Sequence, residues 1–236
     1  NSATNASQAF GLAVSTNAVT WFNVGTVSPA LSGETLTSVS RVWGPVLWLK
    51  DTNLWCVTAV ATNYPLNGQF TMRVQRADIA TPLTFGTAVQ MTNNTAYTNL
   101  IELTFGEENG TVYAMAVEDY PGERIRMFTL TNANNPAHGL TLFNAAPISS
   151  WSSGAEGVAL WPKENGGWRF GWYFYVTASM GNFGDGKTYR YADTPTLASL
   201  SWSDPKMLWF ENGFNAQNFK PCVVTNPAAI ELIDDA

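Results

Sequence analysis

Apolar residues along this chain come in short runs, cut apart by Gly, Asn and Pro. Residues 42–50, 55–61, 111–117 and 168–177 are examples, rich in β-branched and aromatic side chains. No stretch of about a dozen residues carries a 3.6-residue apolar period, so the pattern predicts strands and no amphipathic helix. The chain reads as all-β.

The runs repeat. An apolar strand, a polar turn and an aromatic-rich strand recur in Trp43-Gly-Pro-Val-Leu-Trp-Leu-Lys-Asp-Thr-Asn-Leu-Trp, in Leu100-Ile-Glu-Leu-Thr-Phe-Gly-Glu-Glu-Asn-Gly-Thr-Val-Tyr and in Glu156-Gly-Val-Ala-Leu-Trp-Pro-Lys-Glu-Asn-Gly-Gly-Trp. Val46, Leu103 and Val158 are taken as matching positions. A degenerate fourth copy starts at Lys220-Pro-Cys-Val-Val. Between these copies falls a second pattern, an alternating strand followed by a turn and a short strand. Its copies start at Phe10, Phe70, Arg124 and Lys187. Strict alternation of two hairpins describes the four-stranded antiparallel blade of a β-propeller, within a single domain over residues 1–236. Pairing the first hairpin with the last would close a ring of four blades, about 59 residues each. An incomplete five-bladed ring is the runner-up, and a β-sandwich is the third arrangement.

Composition narrows the partners. Charged residues make up 13% of the chain against roughly 25% in an average domain. Uncharged polar residues replace them, with 26 Thr and 21 Asn beside ten Trp. A net charge of −6 argues against nucleic acid. No apolar run reaches the roughly 20 residues of a membrane-spanning helix. The oligomeric state is left open. The chain opens at Asn1 without Met and reads as a mature or trimmed chain. Few Lys and many Asn, Thr and Trp point to a secreted protein. The sequons at Asn5, Asn93 and Asn109 permit glycosylation. Cys56 and Cys222 form no metal motif, and they are either bridged or two buried thiols.

In a propeller, residues opening the innermost strands face one mouth of the central channel. Here these are Arg41 and Trp43, Asn99 and Glu102, Ser153 and Glu156, and Asn218 and Lys220. Two carboxylates approaching from different blades, Glu102 and Glu156, is the arrangement that glycoside hydrolysis needs. Trp43, Trp151 and Trp161 flank the acidic strands and are the candidate sugar platforms; Asn99, Asn218 and Lys220 are candidate binding residues. The plain alternatives are an exposed loop carboxylate for Glu156 and a solvent-facing strand residue for Glu102. Trp168, Phe170, Trp172 and Phe174 alternate on one face and read as core. His138 reads as an exposed loop residue. Asp185 reads as a turn residue. No cofactor is implied, because no metal-ligand or phosphate-cradling spacing occurs.

Several motifs resemble those of five-bladed propeller glycoside hydrolases of the arabinanase, β-xylosidase and arabinofuranosidase type. Residues 11–25 resemble their S-x-D-L-x-x-W-x-x-x-G hairpin, and Trp43-Gly-Pro-Val their W-A-P-D/E-V. Ala155-Glu156-Gly resembles the strand carrying their general acid. Ile101-Glu102-Leu-Thr-Phe with Gly106-Glu-Glu-Asn-Gly resembles I-D-P-x-x-F and D-D-D-G-x-x-Y. The resemblance makes Glu156 the acid and Glu102 the residue that tunes it and orients the sugar. It departs at the base, where the family's Asp-Pro pair corresponds to Lys220-Pro221. A cationic Lys accepts no proton from water. The expectation is therefore a glycan-binding, lectin-like protein on a glycosidase-like scaffold. A glycoside hydrolase acting through Glu156 is the alternative. A non-catalytic protein-interaction propeller is the second alternative.

Overall fold

A computed structural model of the chain describes residues 9–17, 19–37, 40–63, 69–92, 96–118, 124–148, 155–175 and 187–208. The first hairpin pairs β1 (Phe10–Val14) with β2 (Phe22–Val27). Three four-stranded sheets follow among the described residues. One runs β3 (Arg41–Lys50), β4 (Asn53–Ala61), β5 (Thr71–Asp78), β6 (Val89–Gln90). The next runs β7 (Leu100–Glu108), β8 (Thr111–Glu118), β9 (Arg124–Leu130), β10 (Leu140–Asn144). The third runs β11 (Ala155–Pro162), β12 (Trp168–Tyr175), β13 (Lys187–Thr194), β14 (Lys206–Leu208). Each is a meander in chain order, built from the two alternating hairpins of the sequence repeat. The fourth inner hairpin expected from Lys220 lies outside the described residues.

Two-residue turns set the β3–β4 and β7–β8 hairpins. Asn109 and Gly110 both hold positive φ (52° and 77°) between β7 and β8, the backbone that an Asn-Gly turn supplies at least cost. The second strand of a sheet is buried on both faces. Cys56 to Ala61 of β4 and Val112 to Glu118 of β8 are all buried. A strand covered on both sides loses the period-2 alternation and reads as a continuous apolar run. Cys56 is fully buried, and burial pushes its thiol up to about 11.

The chain packs as two compact units, residues 1–103 with 130–141 and residues 104–129 with 142–236. In the first, Arg73 of β5 is 3% exposed and straps down the segment before β3. Its guanidinium pairs with both carboxylate oxygens of Glu34, and Nη1 also donates to Pro29 O at 2.9 Å. This fork satisfies a charge that burial alone would make costly. In the second unit, Phe170 and Trp172 are fully buried and stacked, with centroids 5.5 Å apart, the core role expected of that face. Glu108 ties this unit together. It accepts Trp168 Nε1 at 3.0 Å and the backbone NH of Leu197 at 2.9 Å. Part of the acidic motif 106–110 is thus a structural clasp. Gly106 sits where an added Cβ would lie 2.8 Å from both Leu160 Cδ2 and Trp168 Cζ3.

Two outcomes follow from this packing. Gly106→Ala forces three packed side chains apart, and urea denaturation should show a loss of about 1–3 kcal/mol. The hydrogen bond from Arg73 holds the Glu34 carboxyl below its ordinary value of 4.5. A depressed carboxylate contributes its stability fully above that value and loses it as pH falls through the folded-state value. Urea midpoints measured against pH should decline below about 4.5, and Glu34→Gln should flatten that decline.

Candidate functional site

Strand β3 does not open regularly. Trp43 pairs with Ala59 and Val46 with Val57, so Gly44 and Pro45 face the single residue between them. This is a β-bulge, and Gly44 takes a φ of +53°. A Gly-Pro pair inside an apolar strand marks such a feature: glycine accepts the left-handed backbone and proline lacks the ladder donor. β11 repeats the device. Glu156 pairs with Tyr173 and Ala159 with Gly171, and Gly157 holds a φ of +60°. β7 has a left-handed residue near its start as well, but there it is Glu102, with a φ of +52°.

These three positions correct the repeat alignment. Gly44, Glu102 and Gly157 are equivalent by backbone conformation, and the first copy is therefore offset by one residue from the Val46, Leu103, Val158 match. On the corrected register Trp43, Ile101 and Glu156 immediately precede the left-handed residue. A Cβ-bearing residue in this conformation costs roughly 1–2 kcal/mol relative to ordinary backbone. The first and third sheets avoid that cost with glycine, whereas the second sheet accepts it and gains a carboxylate.

That carboxylate is held in place. Glu102 is 7% exposed, and its Oε1 accepts Trp43 Nε1 at 3.2 Å. Gly44 makes the approach possible: a Cβ there would stand 2.8 Å from Glu102 Cγ and 3.1 Å from its Cα. The Trp43 ring meets Phe70 edge-on, with centroids 6.3 Å apart. Phe70 in turn donates its backbone NH to Asn99 Oδ1 at 2.9 Å. Leu100 to Gly106 are all buried, so β7 is covered on both faces along its opening, and Glu102 is buried among its apolar neighbours.

Of the residues singled out from the sequence, Trp43, Asn99 and Glu102 come together in the first unit. Asn99 uses its side-chain oxygen on the backbone of Phe70. Glu156 is placed by its backbone ladder at the opening of β11. Trp161 stands five residues further along the same strand, opposite Arg169 and beside the hairpin turn. At about 3.3 Å per residue that is roughly 16 Å from Glu156. Trp151, Asn218 and Lys220 lie outside the described residues, as do Asp185 and Cys222. His138 is exposed on a short 3-10 turn, Pro136–His138. Gly44 and Phe70 were not anticipated. The Gly-Pro pair was a legible signal for the first, and nothing local marks the second.

No family model and no curated protein matches this chain. Solved structures do. A variant of an α-L-arabinanase from Cellvibrio cellulosa superposes with a TM-score of 0.53 at 12% identity, over 82% of this chain and 66% of that one. An exo-β-1,3-galactanase from Phanerochaete chrysosporium, solved with β-1,3-galactotriose, gives 0.55 at 13% identity, over 85% and 43%. The fold is that of the arabinanase-type β-propellers. A thermostable family-43 glycoside hydrolase gives 0.53 at 9% identity, over 77% and 57%. The chain spans between 43% and 66% of the length of these propellers. The propeller's blades are the four-stranded sheets, and β3, β7 and β11 are the first strands of three of them.

The backbone strain at Glu102 is separable from its carboxylate. Glu102→Ala and Glu102→Gly both remove the carboxylate and differ only by a Cβ in the left-handed region. Thermal or urea denaturation should find the Gly variant more stable than the Ala variant by about 1 kcal/mol, the reverse of the order at an ordinary strand position. Equal stabilities would mean that position 102 carries no strain.

Proposed function

We propose that this chain binds glycan at the opening of the first blade strands, with Glu102 as the carboxylate that orients the sugar. The observation carrying the reading is the left-handed Glu102 itself. A left-handed backbone costs free energy in any residue with a Cβ, and strained residues that persist in folded proteins cluster at ligand clamps and active sites. A carboxylate fixed by an indole NH is a preorganised acceptor for sugar hydroxyls, and such hydrogen bonds to a charged group are the strong ones. The half-buried Trp43 beside it offers an apolar ring to the C–H face of a sugar. The fold supports the reading, since the solved propellers it resembles include an α-L-arabinanase and an exo-β-1,3-galactanase. The low charge of the chain suits a neutral polymer.

Hydrolysis is the second reading, and the register of β11 favours it. Glu156 immediately precedes the left-handed Gly157 as Trp43 precedes Gly44, so it holds the equivalent backbone position in its own strand. By the family resemblance it would protonate the leaving oxygen while Glu102 tunes it. Lys220, where the resemblance expects the base, weighs against turnover.

One experiment separates these readings. Wild-type protein, Glu102→Gln and Glu156→Gln are titrated with arabinan, xylan, β-1,3-galactan and their aryl glycosides, following both binding and sugar release. The binding reading expects affinity without release, and about a tenfold loss in Glu102→Gln for one charged hydrogen bond removed. Release that disappears in Glu156→Gln with binding retained would establish the hydrolase. Absence of affinity for every glycan would overturn both.

A further inference from the structure

A second recess lies beside the Glu102 cluster, and Phe70 separates the two. It encloses about 240 Å³ between the start of β5, the segment following β6, the opening of β7 and Leu140. Phe70 lines it, whereas Trp43 and Glu102 do not. Its floor is apolar: Phe70, Met91 and Leu100 are each no more than 6% exposed. Its rim is polar and exposed, with the amide of Gln90 and the hydroxyl of Thr98, and the half-buried ring of Tyr97 forms a wall. None of the described residues lining it is charged.

Each property limits the occupant. A charged ligand would lose hydration on entering and find no counter-charge. A purely apolar one would match the floor but gain nothing from the amide and hydroxyl on the rim. Ligand sites for drug-sized molecules run to roughly 300–1,000 Å³, so this recess takes a single ring. A neutral sugar matches all three limits, with C–H groups for the floor and Tyr97, hydroxyls for Gln90 and Thr98, and no charge.

We propose that this recess is a separate site for one neutral sugar ring. It shares a ligand class with the function proposed above but none of that site's polar groups, so the two can fail independently.

The test uses the full chain carrying Glu102→Gln, which weakens the first site. Methyl β-D-galactopyranoside, methyl β-D-xylopyranoside and methyl α-L-arabinofuranoside are presented one at a time, and binding is read by ligand-observed saturation-transfer NMR. A methyl glucuronide and cyclohexanol serve as the charged and the apolar probes. Thr98→Trp fills the recess from its exposed rim, and Gln90→Ala removes one rim partner. Neither touches the floor, and circular dichroism checks that both variants fold. At least one neutral glycoside should bind, and its affinity should fall about tenfold in Thr98→Trp and less in Gln90→Ala. The glucuronide and cyclohexanol should bind more weakly than that glycoside. The proposal is overturned if no neutral glycoside binds, if Thr98→Trp leaves binding unchanged, or if either control probe binds equally well. If polymer binding proves independent of Glu102 while the glycoside still responds to Thr98→Trp, the function proposed above falls and the recess stands.

Discussion

Burial of the sheets on both faces is the constraint behind most of what this chain does. β4 and β8 are covered on each side, so neither strand has a face on which charge is cheap. Three arginines of the described residues that enter the interior are paired with carboxylates. Arg73 is forked onto Glu34, and Arg126 is held by Glu118, with Nε 2.9 Å from Oε2. In the second unit Arg169 reaches Asp193 at 2.8 Å and lies over the Tyr191 ring. Few charges are used because few can be placed, and Thr, Asn and Gln fill the turns and rims in their stead.

Against that background Glu102 is unusual twice over. It is a buried carboxylate that accepts an indole NH, and it adopts a backbone that the first and third sheets assign to glycine. The two facts are coupled through Gly44. The bulge in β3 removes a side chain where Glu102 must pass, and the same bulge turns Trp43 so that its NH meets the carboxylate. One irregular strand opening therefore creates both the space and the partner for the next. Phe70 and Asn99 extend this support outward, which is why Asn99, singled out as a binding residue, is engaged with the backbone of its neighbour.

Much of the architecture was legible beforehand. The two alternating hairpin patterns anticipated nearly every described strand, since the turn chemistry between them is local: Asn109-Gly110 and Gly166-Gly167 hold positive φ in two of the hairpin loops. The apolar runs of β4 and β8 were visible for the same reason. The alignment at the strand openings was less secure. Sequence matching follows side-chain type and treats Val46, Leu103 and Val158 as equivalent, whereas the backbone aligns Gly44, Glu102 and Gly157. β3 and β11 carry the same bulge, so the offset arises from pairing Val46 with Val158 by residue type, and residue type does not record backbone conformation.

By itself the sequence determined the strands, their order within each sheet, the scarcity of charged residues and the short roll of carboxylates able to carry chemistry. Those depend on local propensity, periodicity and residue count. Only the tertiary structure decided that Glu102 is left-handed, that Trp43 holds it and that Phe70 divides its cluster from an uncharged recess. Trp43 and Glu102 are 59 residues apart in the chain. Their contact exists because two sheets bring their irregular openings together, and that is a property of packing to which no local pattern refers.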